Sequence, residues 1–98
     1  MNEIVLSEEF IIWLYALKNI QARKKILQRI ERAKDGNFGD YKQLADNLFE
    51  MRIFVGSGYR VYYTKQGNIL YLLLTGGDKS SQSEDIERAL KMLEEMEK

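Results

Sequence analysis

The first third of the chain carries apolar residues at the spacing of two consecutive helices. A short strand-like run, EIVLS, leads to Ser7, a predicted N-cap that precedes two acids in the first helical turn. The apolar stripe of this helix consists of Phe10, Trp13, Leu14 and Leu17. Asn19 is the predicted N-cap of the second helix, whose stripe consists of Ala22, Ile26, Ile30 and Ala33. Its basic residues are predicted to point elsewhere: Arg23, Lys24, Lys25, Arg29 and Arg32. The link between the two apolar stripes, from Leu17 to Asn19, is short, and a short link between two helices predicts a helical hairpin.

The pattern changes from helical to strand-like after the turn-rich segment KDGNFGDYK, residues 34–42. Three strand-like runs follow, at residues 48–55, 59–64 and 69–75, and the links GSG and KQGN between them are typical of hairpins. Residues 81–98 return to the helical pattern, and Ser81 and Glu84 match a capping box. The order β-α-α-β-β-β-α predicts an α+β fold. We expect one domain, residues 1–98, with its helices packed on one face of a largely antiparallel sheet.

The register of the first hairpin determines which side chains share a face of the sheet. A loop of three residues, 56–58, pairs Val55 with Tyr59 and keeps the apolar side chains of both strands together, whereas a two-residue loop would mix the faces. The opposite face then carries two permanent cations and two aromatic rings: Arg52, Phe54, Arg60 and Tyr62. Such a face suits phosphates and unpaired bases. Cross-strand arginine–tyrosine pairs that only stabilise an exposed sheet would give the same pattern.

Composition narrows the chemistry of this domain. The chain has neither cysteine nor histidine, which excludes disulfides and cysteine nucleophiles and removes the commonest general base and metal ligand, so no metal or cofactor is expected. No apolar run approaches the ~20 residues of a membrane helix, and the N-terminus lacks the basic segment of a signal peptide, so we expect a cytoplasmic protein without membrane contact.

Charge is distributed unevenly although the formal net charge is zero. Residues 18–65 contain eleven basic and five acidic residues, and both flanking segments are acidic. Two interpretations fit this charge distribution: a local positive surface, or basic side chains on ordinary solvated helix faces.

The stretch LLTGGDKSSQ, residues 73–82, has the glycines, lysine and serines of a phosphate-binding loop. It fails the Walker A pattern at two positions, since Asp78 stands where the glycine before Lys79 is required and the first required glycine is missing. What remains is a strand-to-helix turn whose glycines permit unusual backbone angles. This turn either brings Lys79 to the rim of the sheet face that carries Arg52 and Arg60, or it only connects a strand to a helix.

Four segments in fixed order point to a family: GNFGDYKQL, LFEMRI, GYRVYY and LLLTGGDKSSQ, the last followed by DIERA. With them the chain, from about Phe10 to Leu93, resembles the addiction-module killer proteins of the RelE/ParE toxin superfamily, in its HigB-like branch. The resemblance implies a RelE-like fold and a bacterial toxin that a cognate antitoxin, a helix-turn-helix DNA-binding protein, holds inactive. Contact with operator DNA would occur only through the antitoxin complex.

The resemblance also implies two alternative targets. Many RelE-type members cut messenger RNA on the ribosome, whereas ParE-type members inhibit DNA gyrase without enzymatic activity. For a nuclease, the family pattern places catalytic residues at Arg52, Arg60 and Lys79, with Tyr62 as a weaker candidate, and RNA-binding residues at Arg52, Phe54, Arg60 and Lys79. The 2′-OH of RNA is the nucleophile in such a reaction, so a metal-independent endoribonuclease is expected. A non-toxic module that regulates transcription with the antitoxin is the third alternative.

Overall fold

One five-stranded sheet with helices on both faces forms the structure. The computed structural model describes residues 3–67 and 70–96, with residues 70–74 described by their backbone alone. The elements in chain order are β1 (Glu3–Leu6), α1 (Glu8–Ala16), α2 (Ile20–Lys34), β2 (Tyr41–Ala45), β3 (Leu48–Ile53), β4 (Tyr59–Gln66), β5 (Leu70–Asp78), a 3₁₀ turn (Lys79–Ser81) and α3 (Gln82–Met96). The strand order is β1-β5-β4-β3-β2, and β1 alone pairs in parallel among these strands. The predicted α+β class is confirmed. No helix among the described residues is long and apolar enough to cross a membrane.

Both predicted N-caps of the helical hairpin are confirmed. The Ser7 hydroxyl accepts a hydrogen bond from the Phe10 amide at 3.0 Å, and the Asn19 side chain accepts one from the Ala22 amide at 3.1 Å. The hairpin covers one face of the sheet, where the main core consists of Phe10, Leu14, Ile26, Ile30, Ala33, Met51, Ile53, Val61 and Tyr63. The predicted apolar stripes therefore pack into the core, because each helix turns its apolar side toward the odd-numbered side chains of β3 and β4.

The prediction that all helices pack on one face is wrong for α3. Ala89 of α3 packs with Leu48 and Tyr62, whose side chains point to the face opposite the main core. The strand β2 was not predicted at all, because residues 34–42 read as turns and most side chains of β2 are exposed. The third predicted run begins at Ile69, outside the described residues, and the strand continues to Asp78. The predicted last helix likewise runs past the described residues, at 97–98.

The register of the β3–β4 hairpin differs from the prediction by two residues. Arg52 pairs with Arg60 and Ile53 with Tyr59, so the connection is the five-residue segment 54–58 and not a three-residue loop. Successive strand side chains alternate between faces, so a shift of two residues leaves every face assignment unchanged. The predicted grouping of Arg52 and Arg60 on one face is therefore right, whereas Phe54 has left the strand.

The start of α3 is tied to the end of β5 by side chains. The Ser81 hydroxyl donates to the Asp85 carboxylate at 2.5 Å, and the predicted capping box with Glu84 does not form among the described residues. Asp78 caps the 3₁₀ turn instead, accepting from the Ser80 amide at 2.9 Å. The Asp85 carboxylate faces β5, because it occupies the space that a Cβ on Gly77 would need.

We expect Asp85→Asn to stabilise the protein at neutral pH. Burial raises the pKa of the Asp85 carboxyl, against the opposing effect of the Ser81 hydrogen bond. The folded state then holds this proton more tightly than the unfolded state, so stability is lost as pH rises through the folded-state pKa. Urea unfolding should show the gain at pH 7 but not below about pH 3.9, the ordinary value for aspartate. Glu84→Gln, an exposed change in the same helical turn, is the control. An equal gain at both pH values would contradict the burial effect.

Candidate functional site

A groove with a volume of about 320 Å³ opens at the loop between β3 and β4. It brings together four of the five predicted site residues: Arg52, Phe54, Arg60 and Lys79. Arg52 comes from the end of β3, Phe54 from the loop and Arg60 from the start of β4. Lys79 arrives because Asp78, at the end of β5, pairs with Tyr59. The described residues that line the groove include three cations and no carboxylate.

Arg52 is oriented by an acidic side chain outside the groove. Its Nη2 donates to Asp40 Oδ1 at 2.7 Å, and its side chain remains 37% exposed. The backbone of the same two residues is joined as well, since the Arg52 amide donates to the Asp40 carbonyl at 2.9 Å. Arg52 is therefore held in place and still has N–H groups available to a phosphate, because a guanidinium carries five donors.

Arg60 is held by a buried carboxylate. Its Nε lies 3.5 Å from Glu50 Oε2, and Glu50 is 2% exposed. The side-chain amide of Gln82, the first residue of α3, donates to the same Glu50 oxygen at 2.9 Å. The ion pair fixes the guanidinium against the sheet, because a buried carboxylate needs a charged partner to offset the cost of its desolvation.

Phe54 and Lys79 supply the exposed side of the groove. The Phe54 side chain is 77% exposed, which is unusual for a large aromatic ring. Lys79 is exposed and forms no ion pair within the described parts of the chain. The groove therefore combines an unpaired ammonium and a solvated ring with two oriented guanidinium groups.

Comparison with known proteins gives a relative of nearly the same length. An uncharacterized protein of Haemophilus influenzae is 50% identical over 84 residues, which cover 86% of this chain and 85% of that protein. This chain belongs to the same family as that protein. No family model matches the chain.

Tyr62 is not part of the groove. Its side chain is fully buried beneath α3, in contact with Leu48 and Ala89. Burial raises the pKa of the Tyr62 hydroxyl, and the nearby carboxylates of Glu50 and Asp85 raise it further. The phenol is therefore neutral at physiological pH. Although Tyr62 and Arg60 both lie near Glu50, Tyr62 is outside the groove lining, so it has no role in the proposed chemistry.

Arg29 of α2 supports the backbone next to the groove, contrary to its predicted orientation. It was predicted to point away from the α2 stripe, yet it is buried and 7% exposed. Its guanidinium donates to the carbonyls of Arg52 at 2.6 Å, Phe38 at 2.9 Å and Asp40 at 3.3 Å. Gly39, at φ +63°, leaves the space, because a Cβ there would lie 2.7 Å from Arg29 Nη2. The sequence spacing does indicate burial of Arg29, since Arg29 lies three residues after Ile26 and four before Ala33, on the same side of the helix.

Arg29→Met is expected to destabilise the fold by about 3 kcal/mol, because it removes the charge-assisted hydrogen bonds that the guanidinium donates to three part-buried carbonyls. Urea unfolding measures the loss. Arg32→Met makes the same chemical change at an exposed position of the same helix and is expected to have little effect. Equal unfolding midpoints for the two variants would show that the Arg29 contacts do not hold the loop.

No group of three or more acidic, histidine or cysteine side chains that could hold a metal occurs among the described residues. The groove offers cationic and aromatic groups, which suit an anionic ligand with planar rings.

Proposed function

We propose that this chain is the toxin of a type II toxin–antitoxin pair and acts as a ribosome-dependent mRNA endoribonuclease that inhibits translation. The observation that carries the proposal is the groove, where three cations and one exposed aromatic ring converge without an acidic side chain among the described lining residues. Guanidinium groups fit phosphate oxygens, and aromatic rings stack on unpaired bases. The resemblance of four ordered segments to RelE/ParE toxins supports the same interpretation.

The groove residues have distinct roles in the proposed cleavage. The 2′-OH of the substrate attacks the adjacent phosphorus, the bond to the 5′ oxygen breaks, and a 2′,3′-cyclic phosphate forms. Arg52 and Arg60 bind the phosphate and stabilise the additional negative charge of the transition state. Phe54 stacks on a base and holds the strand in line. The Lys79 ammonium donates a proton to the leaving 5′ oxygen.

The proposal includes ribosome dependence because the groove residues do not supply every group that the reaction needs. The 2′ proton needs an acceptor, yet the described groove lining has no carboxylate and the chain has no histidine. The proposal therefore places that acceptor in the ribosome-bound substrate complex, which also fixes the geometry of the message. The chemistry requires neither a metal nor another cofactor, because the substrate provides the nucleophile.

The proposed partners follow from this role. They are the ribosome with its message and an antitoxin with a helix-turn-helix DNA-binding domain, through which operator DNA is reached. The proposed site of action is the cytoplasm, where the ribosome works.

One observation favours a second candidate function, a ParE-like toxin that inhibits DNA gyrase without catalysis. Both arginines of the groove are already paired, Arg52 with Asp40 and Arg60 with Glu50. Paired guanidinium groups have less charge to offer a transition state, and they suit a fixed protein-binding surface as well.

Pulse-labelling after induced expression in bacteria separates the two candidates. Amino-acid and thymidine incorporation are followed separately, with Lys24→Ala, an exposed charge change outside the groove, as the control variant. The nuclease proposal predicts that amino-acid incorporation falls first, for the wild-type chain and for the control. An early fall of thymidine incorporation with continuing translation would favour gyrase and remove the catalytic roles of Arg52, Arg60 and Lys79.

A further inference from the structure

The helix α1 is apolar on the side that faces solvent as well as on the side that faces the core. Phe10 and Leu14 are fully buried, whereas Ile12 is 63% exposed, Tyr15 is 59% exposed and Ile11 is 40% exposed. A helix that is apolar all round is normally covered on all sides. A contiguous apolar surface on a small protein marks a contact with another molecule. The outward face of α1 therefore lacks a covering partner in the described chain.

The apolar surface continues toward α3. Ile12 and Met92 border one groove of about 440 Å³, together with Glu8, Glu9 and Arg88. Beneath this groove, Arg88 of α3 forms an ion pair with Glu9 of α1 at 2.7 Å, which joins the two helices. The two helices thus form a connected platform and not two independent surfaces.

The charges at the two ends of this surface are opposite. Glu8 is exposed at the start of α1, and Lys18 is exposed just after its end. Neither side chain forms an ion pair among the described residues. Arg23 adds positive charge at the same end, with its guanidinium 5.5 Å from the Tyr15 ring centre.

This arrangement is complementary to itself. When two copies of α1 pack antiparallel, Glu8 of each copy meets Lys18 of the other, as a two-fold symmetric interface requires. Residue 13 is midway along the chain between residues 8 and 18, and it directly follows Ile12, the most exposed large apolar side chain of the helix. The symmetry axis would therefore pass through the centre of the apolar surface. A partner of uniform charge would meet repulsion at one end.

We propose that two copies of this chain associate through antiparallel α1 helices, with Ile12 and Tyr15 at the centre and a Glu8–Lys18 pair at each end. The contact is small, so the dimer forms reversibly, with a dissociation constant on the order of micromolar. The proposal rests on the outward face of α1 and on Lys18, which follows the helix, and it is independent of the proposed nuclease activity.

Sedimentation equilibrium of the purified chain from low to high micromolar concentration tests the dimer. The wild-type chain is expected to shift from monomer to dimer across this range, and Ile12→Asp to weaken the dimer by at least about tenfold. Tyr41→Ser, a polar change at a 53% exposed aromatic residue on β2, is the control and should leave the dimer unchanged. A chain that stays monomeric throughout, or a dimer that Ile12→Asp does not weaken, overturns the proposal and leaves the α1 surface to a different protein.

Charge reversal tests the antiparallel geometry. Glu8→Lys and Lys18→Glu are each expected to weaken the dimer, and the double variant to restore it, because the reversed pair is again complementary. Circular dichroism of each variant confirms that α1 still folds. A double variant weaker than either single variant would contradict the Glu8–Lys18 pairing and with it the proposed arrangement.

Discussion

Arg60→Ala is expected to abolish toxicity and to destabilise the fold at the same time. Loss of a donor that stabilises transition-state charge lowers cleavage by about 100- to 1,000-fold. The same change leaves the Glu50 carboxylate, 2% exposed, without its arginine. Breaking a buried ion pair on one side costs about 3–5 kcal/mol. Loss of toxicity from this variant alone would therefore not separate catalysis from folding.

A second variant makes that separation. Arg60→Met together with Glu50→Gln removes both charges, so the fold should regain most of its stability while cleavage stays lost. Arg60→Lys keeps the charge but not the planar fork and should retain only part of the activity. Unfolding midpoints and growth after induction, measured on the same set, check both effects. Full toxicity of the double variant would remove Arg60 from the proposed machinery.

Gly76→Ala is expected to cost about 3 kcal/mol of stability, because it overpacks a rigid contact. A Cβ at Gly76 would overlap the six-membered ring of Trp13, and one at Gly77 would overlap the carboxylate of Asp85. Both glycines lie within β5 and neither has a positive φ, so close packing explains them and unusual backbone angles do not. Because β5 leads directly to Lys79, the change should also disturb the groove.

Urea unfolding compares this variant with Gly58→Ala. Gly58 has φ +91°, and a Cβ added there would meet nothing within 4 Å, so that change costs about 1–2 kcal/mol of backbone strain alone. Trp13→Leu combined with Gly76→Ala should recover part of the loss, since it makes room for the methyl group. Equal midpoints for the Gly76 and Gly58 variants would contradict the Trp13 contact.

The sequence correctly predicts those features that hydrophobic periodicity and helix N-caps define. Ser7 and Asn19 begin their helices as predicted, and alternation placed Arg52 and Arg60 on one face although the hairpin register was wrong by two residues. Alternation has a period of two, so it cannot detect such a shift. The apolar stripe of α3 likewise indicated burial but not the side of the sheet, because both faces offered apolar side chains.

The parts that were missed depend on tertiary contacts. The strand β2 is an exposed edge with little alternation, so its local pattern is that of a turn. Tyr62 was grouped correctly with the arginines, yet α3 covers it, and only the packing of α3 shows this. The Asp40 partner of Arg52 likewise follows from a spatial contact that residue spacing does not encode.

A reconstituted translation reaction tests the central claim most directly. The purified chain is added to a defined message with and without ribosomes, and the new RNA ends are mapped. We expect cleavage only of ribosome-bound message, with a 2′,3′-cyclic phosphate at the new end, and loss of cleavage in the Arg60→Met and Glu50→Gln double variant. An intact message on the ribosome, under conditions in which the same preparation inhibits DNA gyrase, would contradict the account.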